Sequence, residues 1–363
     1  MGLSITGGLS DERQVRVGFV GCGSHAFRNI YSALQFLPVD LAAVCDWDMA
    51  KAQAFARQFG AEAAYDRADD LLARDDLEAV LIVTSYDDRG RPQYPQLARQ
   101  ALAAGKHVWI EKPPAVTTAE IDSMQQAAAT AGRNVVVGFK KMFAPANEKT
   151  KELIDADDFG PISLATFQYP LHIPTPDELA RYAAGECVDS VVGFLDHLCH
   201  PVALMLMLLG MPRTLLFQVG PSQAGVATFT FDSGAVASLA MSRGIPMGPL
   251  FERTMLVGQT QAVTIENNTR VTLHRSSGLG YGVDPSFCTP GVDGASLVWE
   301  PEFSLGQLYN KGVFILGYWG ELNEFVQSIL ADRPPGKGTL EQAWQVTRIF
   351  EAFAEGPDKV ITL

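Results

Sequence analysis

Six residues near the start of the chain constrain its fold more than any other segment. Gly21-Cys22-Gly23-Ser24-His25-Ala26 follows an uninterrupted apolar run, VRVGFV (15–20), and opens the amphipathic stretch AFRNIYSALQFL. This is G-x-G-x-x-A between a buried strand and a helix. Gly21 permits a tight turn, Gly23 lets the backbone approach a pyrophosphate, and Ala26 lets helix and strand pack closely. The stretches that follow keep the same rhythm. LAAVCD (41–46), AVLIVT (79–84), HVWIE (107–111) and NVVVGF (134–139) read as strands buried on both faces. DMAKAQAFARQFG, PQLARQALAAG and TTAEIDSMQQAAATAG read as the helices between them. Gly60 and Gly105 stand where a helix end needs a positive φ, and Thr117 or Thr118 before Glu120 reads as a cap. The alternation predicts right-handed crossovers and a doubly wound parallel Rossmann sheet.

After about Phe143 the pattern changes. A helix (ANEKTKELIDA) leads to the strand ISLATFQY, and an apolar helical region covers roughly 190–209. Then TLLFQVG, GVATFTF, AVASLAMS, RTMLVG, QAVTIE and RVTLHR succeed one another without helices, with a hairpin signal at Phe231-Asp232-Ser233-Gly234. WGELNEFVQSILAD and LEQAWQVTRIFEAFAEG close the chain as helices. The expected architecture is α/β. A Rossmann domain over 1–140, with 1–13 a flexible arm, precedes an α+β domain over 141–363 with a large, mostly antiparallel open sheet. Such a sheet has a face to be covered, so a homodimer or homotetramer is expected. The Gly- and Pro-rich stretch 276–301 is expected to cover the site or to reach a neighbouring subunit.

Asp46 ends the second strand, 25 positions after Gly21. A carboxylate there can accept both ribose hydroxyls and repels a 2′-phosphate. Only Trp47 and Asp48 follow, so NAD is expected rather than NADP. A formal net charge of −13 argues against a nucleic-acid partner. The five cysteines show no paired spacing, the first residues show no signal peptide, and the most apolar run (Val202–Gly210) is too short to cross a bilayer. A cytoplasmic protein with no membrane partner is expected.

Glu111-Lys112-Pro113-Pro114 stands at the carboxyl end of a buried strand, where ligands collect in an open α/β sheet. A lysine there can donate to a substrate oxygen and stabilise charge building on it; a surface lysine at a strand exit is the plainer reading. In Asp196-His197-Leu198-Cys199-His200, a helix would make Asp196 and His200 neighbours on one face. A carboxylate beside an imidazole suits a general acid–base, or simply a structural pair. Pro201 implies a kink or a helix start. The His197, Cys199 and His200 spacing matches no zinc pattern, and no metal is expected.

Together these residues resemble the glucose–fructose oxidoreductase/inositol dehydrogenase (Gfo/Idh/MocA) family. The resemblance covers nearly the whole chain. It includes the G-x-G-x-x-A start, Asp46, AGKHVWIEKP (104–113), VVVGF (135–139), the D-x-x-x-H pair and GYWGELNEF (317–325). It implies that Lys112, Asp196 and His200 are catalytic: His200 exchanges the hydroxyl proton, Lys112 polarises and relays, and Asp196 supports the histidine. It also implies a cis bond before Pro113. NAD contacts would come from Gly21, Gly23, Ser24, His25, Ala26, Asp46, Trp47, Thr84, Ser85, Glu111, Lys112 and Pro113. Substrate contacts would come from Lys112, Lys141, His172, Asp196 and His200, with Tyr169, Arg181, Tyr182 and Tyr318 as further candidates. The implied activity is hydride transfer between the nicotinamide and a secondary alcohol of a sugar, cyclitol or related polyol. A redox-neutral sugar enzyme holding NAD and a non-catalytic NAD sensor are the alternatives. Three departures stand out. Thr84-Ser85-Tyr86 continues into a longer loop with Tyr94 in place of a histidine. Lys141 stands in for an arginine. Ala203 replaces an aspartate.

Overall fold

The computed structural model describes residues 13–246, 251–275, 296–300 and 311–363. The expected arm (1–13, except Arg13), most of 276–301 and Cys288 lie outside the described residues. The first sheet consists of β1 (Val15–Val20), β2 (Val39–Cys45), β3 (Ala63–Tyr65), β4 (Ala79–Ile82), β5 (His107–Ile110) and β6 (Val135–Val137). The order is β3-β2-β1-β4-β5-β6, with every neighbouring pair parallel. The strand order reverses between β1 and β4, which opens a crevice at their carboxyl ends. β3 escapes the sequence pattern because it is three half-buried residues at the sheet edge.

The helix after β1 begins as a π-turn (Ala26–Tyr31) and continues as α1 (Ser32–Leu34). α2 (Met49–Phe59), α3 (Ala68–Leu72), α4 (Tyr94–Ala103) and α5 (Thr118–Ala131) complete this half. Gly60 and Gly105 take φ of 79° and 75°, as their positions at helix ends require. Thr117 caps α5 in a reciprocal bond with Glu120, while Thr118 turns to Glu351.

The second half runs α6 (Pro145–Ile154), β7 (Leu164–Tyr169), α7 (Pro176–Ala183), α8 (Asp189–Leu209), β8 (Thr214–Val219), β9 (Gly225–Thr230), β10 (Val236–Met241), β11 (Arg253–Val257), β12 (Gln261–Glu266), β13 (Arg270–Arg275), β14 (Leu297–Trp299), α9 (Lys311–Ile315), α10 (Tyr318–Leu330), α11 (Leu340–Ala354) and β15 (Ile361–Thr362). Among the described residues nine strands form one sheet in the order β14-β13-β12-β11-β7-β10-β9-β8-β15. Among these described strands only β10–β7 pairs in parallel; β9–β10 is the expected hairpin. Alternation sends Ala165, Phe167 and Tyr169 into the core under the helices. The opposite face carries Leu164, Leu216, Val226 and Val236, all exposed.

α8 neither ends nor restarts at Pro201. A proline inside a helix costs about 3 kcal/mol. Val191, Phe194, Leu195, Leu198 and Val202 are buried along α8 at about 1.5–3 kcal/mol each, which outweighs it. With 21 residues, α8 as a whole is long and apolar enough to cross a bilayer by length and composition, and it ends with the run that is too short for that by itself. In this fold the helix is mostly buried, packed on α11 and the Lys140–Met142 turn.

α10 crosses back to the first sheet. Leu322, Phe325 and Val326 share a core with Phe19, Trp109 and Val136. A boundary at 140/141 therefore separates the two sheets but not their cores.

Candidate active site

The glycine turn after β1 is fixed by two distinct requirements. Gly21 sits at φ 112°, and a Cβ there would lie 1.8 Å from the Val83 carbonyl oxygen. Around Gly23 a Cβ would meet nothing within 4 Å, so that position opens onto free space. Asp46 ties the turn to β2: one carboxylate oxygen accepts the Cys22 N–H (2.8 Å) and the other the Asp48 N–H (3.0 Å). These residues fit the nucleotide that the sequence implies, with an open glycine cradle and a carboxylate at the ribose position. Trp47 beside it is exposed, with the Lys51 ammonium 5.3 Å from its ring centroid.

Two glycine substitutions separate packing from binding. Gly21→Ala forces both the clash and a left-handed φ, each unfavourable; the φ alone costs about 1–3 kcal/mol. It should lower the thermal midpoint and weaken NAD together. Gly23→Ala should leave the midpoint near wild type yet weaken NAD about tenfold, as thermal melts and cofactor titration would show.

Beyond the turn lies a cavity of about 250 Å³ lined by His25, Thr84, Ser85, Tyr86, Glu111 and Lys112, among others. His25 Nε2 is 2.8 Å from Glu111 Oε1, and Glu111 Oε2 accepts the Lys112 N–H. The Lys112–Pro113 bond is cis. Across the cavity Lys112 Nζ donates to Asp196 Oδ1 at 2.7 Å, and the Tyr86 hydroxyl donates to the same oxygen at 2.8 Å. Burial opposes the Lys112 charge, but the Asp196 and Glu111 carboxylates outweigh it and hold the pKa above its ordinary value. For Asp196 burial likewise opposes ionisation, and Lys112 overrides it, keeping the carboxylate charged.

The expected Asp196–His200 pair is not what the structure shows. Asp196 turns to Lys112 and Tyr86, which reach it from β5 and from the longer loop after β4. The loop is held in place by a Tyr86–Pro92 bridge and by the Tyr182 hydroxyl donating to the Gly90 carbonyl. His200 is buried one turn along α8, its ring centroid 6.2 Å from those of Tyr169 and His197. Burial first, then the ammonium groups of Lys112, Lys140 and Lys141, push its pKa well below 6.5. Its imidazole is therefore neutral at pH 7 and able to accept a proton.

His200 faces a second cavity of about 590 Å³, which Lys140, Lys141, Tyr169, His197 and Glu252 also line. The antiparallel register of β11 on β7 sets Arg253 opposite Gln168 and so delivers Glu252 beside Tyr169. Lys141 Nζ bonds Glu252, which also accepts from Asn268 Nδ2 at 2.7 Å.

Lys112 and Asp196 line the first cavity, and Lys141 and His200 line the second. His172 lines neither cavity: it is buried, and its Nε2 has no partner among the described residues. The chain turns inward after β7, where Ile173 N–H bonds the Gln223 carbonyl, so this histidine is a packing residue. Arg181 pairs with Glu186 on the surface and Tyr182 packs on Gly90, so neither lines the site. Cys199 Sγ donates to the Leu195 carbonyl, away from any ligand set. Among the described residues no group of three or more His, Cys, Asp or Glu side chains is placed to hold a metal ion. Tyr86, Lys140 and Glu252 are site residues that sequence reasoning did not assign. The doubled lysine after Phe139 was a visible signal; Glu252 sits in no motif and is reached only through strand pairing.

Comparison with known proteins shows the family. Residues 15–139 match the model of an oxidoreductase family with an NAD-binding Rossmann fold, and 147–264 match the GFO/IDH/MocA C-terminal domain. The scyllo-inositol 2-dehydrogenase (NAD(+)) of Bacillus subtilis is 26% identical over 287 residues, 77% of this chain and 82% of the relative. A D-xylose 1-dehydrogenase (NADP(+)) of Haloferax volcanii is 27% identical over 235 residues, 63% of this chain and 70% of the relative. A dehydrogenase from Chromobacterium violaceum superposes with a TM-score of 0.78 at 23% identity, covering 95% of this chain and 96% of that one, which shows a shared fold.

Proposed function

This chain belongs to the Gfo/Idh/MocA family of oxidoreductases with an NAD-binding Rossmann fold, and from that premise we propose that it is an NAD-dependent dehydrogenase of a secondary alcohol on a sugar, cyclitol or related polyol. One observation carries the reading. A charged lysine held by a carboxylate and a neutral, buried histidine border adjoining cavities beyond the glycine turn. The relatives named above act on a cyclitol and a sugar, which supports the substrate class.

When bound, the nicotinamide supplies or accepts the hydride. Gly21, Gly23 and Asp46 would hold the nucleotide, with His25, Thr84, Ser85 and Glu111 around its reactive end. His200 takes the hydroxyl proton as the alcohol is oxidised and returns it in the reverse direction. Lys112 donates to the same oxygen and stabilises charge developing there. Asp196 keeps that ammonium charged and aimed; Tyr86 holds Asp196. The Asp46 carboxylate disfavours a 2′-phosphate, so NAD should be used in preference to NADP. The exposed apolar face of the nine-stranded sheet supports a homo-oligomer, and the free thiols of Cys22, Cys45, Cys187 and Cys199 suit a reducing, cytoplasmic setting.

The direct experiment is formation of reduced nicotinamide with a panel of sugars and cyclitols, NAD and NADP in parallel. Activity with NAD and one polyol class is expected; equal use of NADP would remove the role given to Asp46. A second expectation follows from the histidine. Because its proton acceptor is lost only on protonation, and its pKa lies below 6.5, kcat/KM for oxidation should stay level from pH 7 downward and fall only below 6.5. An acid limb centred above that value would contradict His200 as the base.

A further inference from the structure

Resting on that dehydrogenase reading, we infer that the substrate carries a carboxylate, which makes its class a polyhydroxy acid, and that the Lys140 ammonium is the group that binds the acid. Three lysines bring their charges to this site, and two are already neutralised. Lys112 is paired with Asp196 and Lys141 with Glu252. Lys140, on the turn after β6, lines the cavity that His200 faces. Its Nζ donates to the Tyr318 hydroxyl at 2.8 Å and lies 4.5 Å from the centroid of that ring. Among the described residues no carboxylate comes within ion-pair distance of it.

The two acids whose charge favours the Lys140 ammonium make no ion pair with it among the described residues. Glu111 is engaged by His25 and by the Lys112 N–H. Glu321 is fully buried with neither oxygen hydrogen-bonded among the described residues, and burial, then Glu111, raises its pKa well above the ordinary value, which favours its uncharged form. Lys140 is therefore the one of the three lysines with no carboxylate at ion-pair distance among the described residues. A desolvated cation is costly without a counter-charge, and a ligand carboxylate beside Lys140 supplies one. Hydroxyls alone would not require a lysine there; an uncharged amide would serve them as well. The ammonium is also tuned. Burial, then repulsion from Lys141, brings its pKa down to about 8, with Glu111 and Glu321 acting upward and Lys112 downward. It is mostly charged at pH 7 and loses that charge above pH 8.

The test uses the whole protein with NAD and two acids, D-gluconate and D-glucuronate, against neutral D-glucose and myo-inositol. Each is followed by NADH formation and by calorimetric binding to the NADH-loaded protein. The acids should exceed the neutral compounds at least about tenfold in kcat/KM, the scale of a charge-assisted bond. Lys140→Met should raise the KM for the acids by a similar factor with kcat within a few-fold, and Lys140→Arg should restore it. For the acids, wild-type kcat/KM should decline above pH 8, and the decline should move to higher pH in Lys140→Arg. Should Lys140→Met fold poorly, Lys140→Gln keeps a donor for Tyr318 and gives the same comparison. Neutral compounds turned over as well as the acids, with Lys140→Met leaving that ratio unchanged, would overturn the carboxylate inference and leave the dehydrogenase standing. Acids that bind in a Lys140-dependent way without forming NADH would support the anion site and remove the dehydrogenase. Acids that neither bind nor react would overturn the inference.

Discussion

Replacing His200 with alanine should lower kcat/KM about 10²–10⁴-fold, the range of a lost general acid–base group, with NAD affinity close to wild type. The separation follows from position: His200 borders the 590 Å³ cavity, whereas the glycine turn and Asp46 lie on the first sheet. The variant should also lose the acid limb expected below pH 6.5. His200→Gln is the companion variant, since it restores volume in a buried position without a titrating group. If both variants turned over at the wild-type rate, another group would have to take the proton. His197 also lines the cavity, and its pKa, lowered mainly by burial, leaves it neutral as well. Single and double variants at 197 and 200, measured in single turnover, distinguish the two.

The second large effect is expected at Lys112. Lys112→Met keeps most of the side-chain volume and removes the ammonium. Loss of one donor at a developing oxyanion costs about 10²–10³-fold in kcat, and here a second consequence adds to it. Asp196 is mostly buried, and its low pKa depends on Lys112 overriding the penalty of burial. Without that charge, the Asp196 pKa should rise. The sign then follows: the wild-type carboxylate is ionised throughout the neutral range, whereas in Lys112→Met its protonation should enter the pH profile from the acid side. Lys112→Arg keeps the charge but presents a wider fork to a site shaped around one amine, and should recover only part of the activity. Equal losses in Lys112→Met and Lys112→Arg would show that shape rather than charge carries the effect.

The parallel half of the fold was legible because its strands are buried on both faces and read as apolar runs, and because a glycine turn admits few structures. Gly21 illustrates this: its positive φ and its contact with the Val83 carbonyl leave no room for a side chain. Lys112 was legible from its place at a strand exit. Three features were not. β3 is short and half-buried, so no pattern marks it. α8 runs through Pro201 because the apolar burial on either side outweighs the local penalty, a balance that only the packed structure sets. The partner of Asp196 was read from helical spacing as His200. It is instead Lys112 and Tyr86, 84 and 110 positions away in sequence. Glu252 belongs to the same class, because only the register of β11 on β7 brings it to Tyr169. Local spacing reports neighbours on one element; contacts between elements come from topology.

The central claim is net hydride transfer from a carbon bearing a hydroxyl to the nicotinamide. It is tested most directly by counting NADH against oxidised product for the purified protein and the polyol it turns over best. One NADH per ketone or lactone formed is the predicted result. Product without net NADH would contradict the account and point to a redox-neutral enzyme, and no product from any polyol by a protein that binds NAD tightly would point to a sensor.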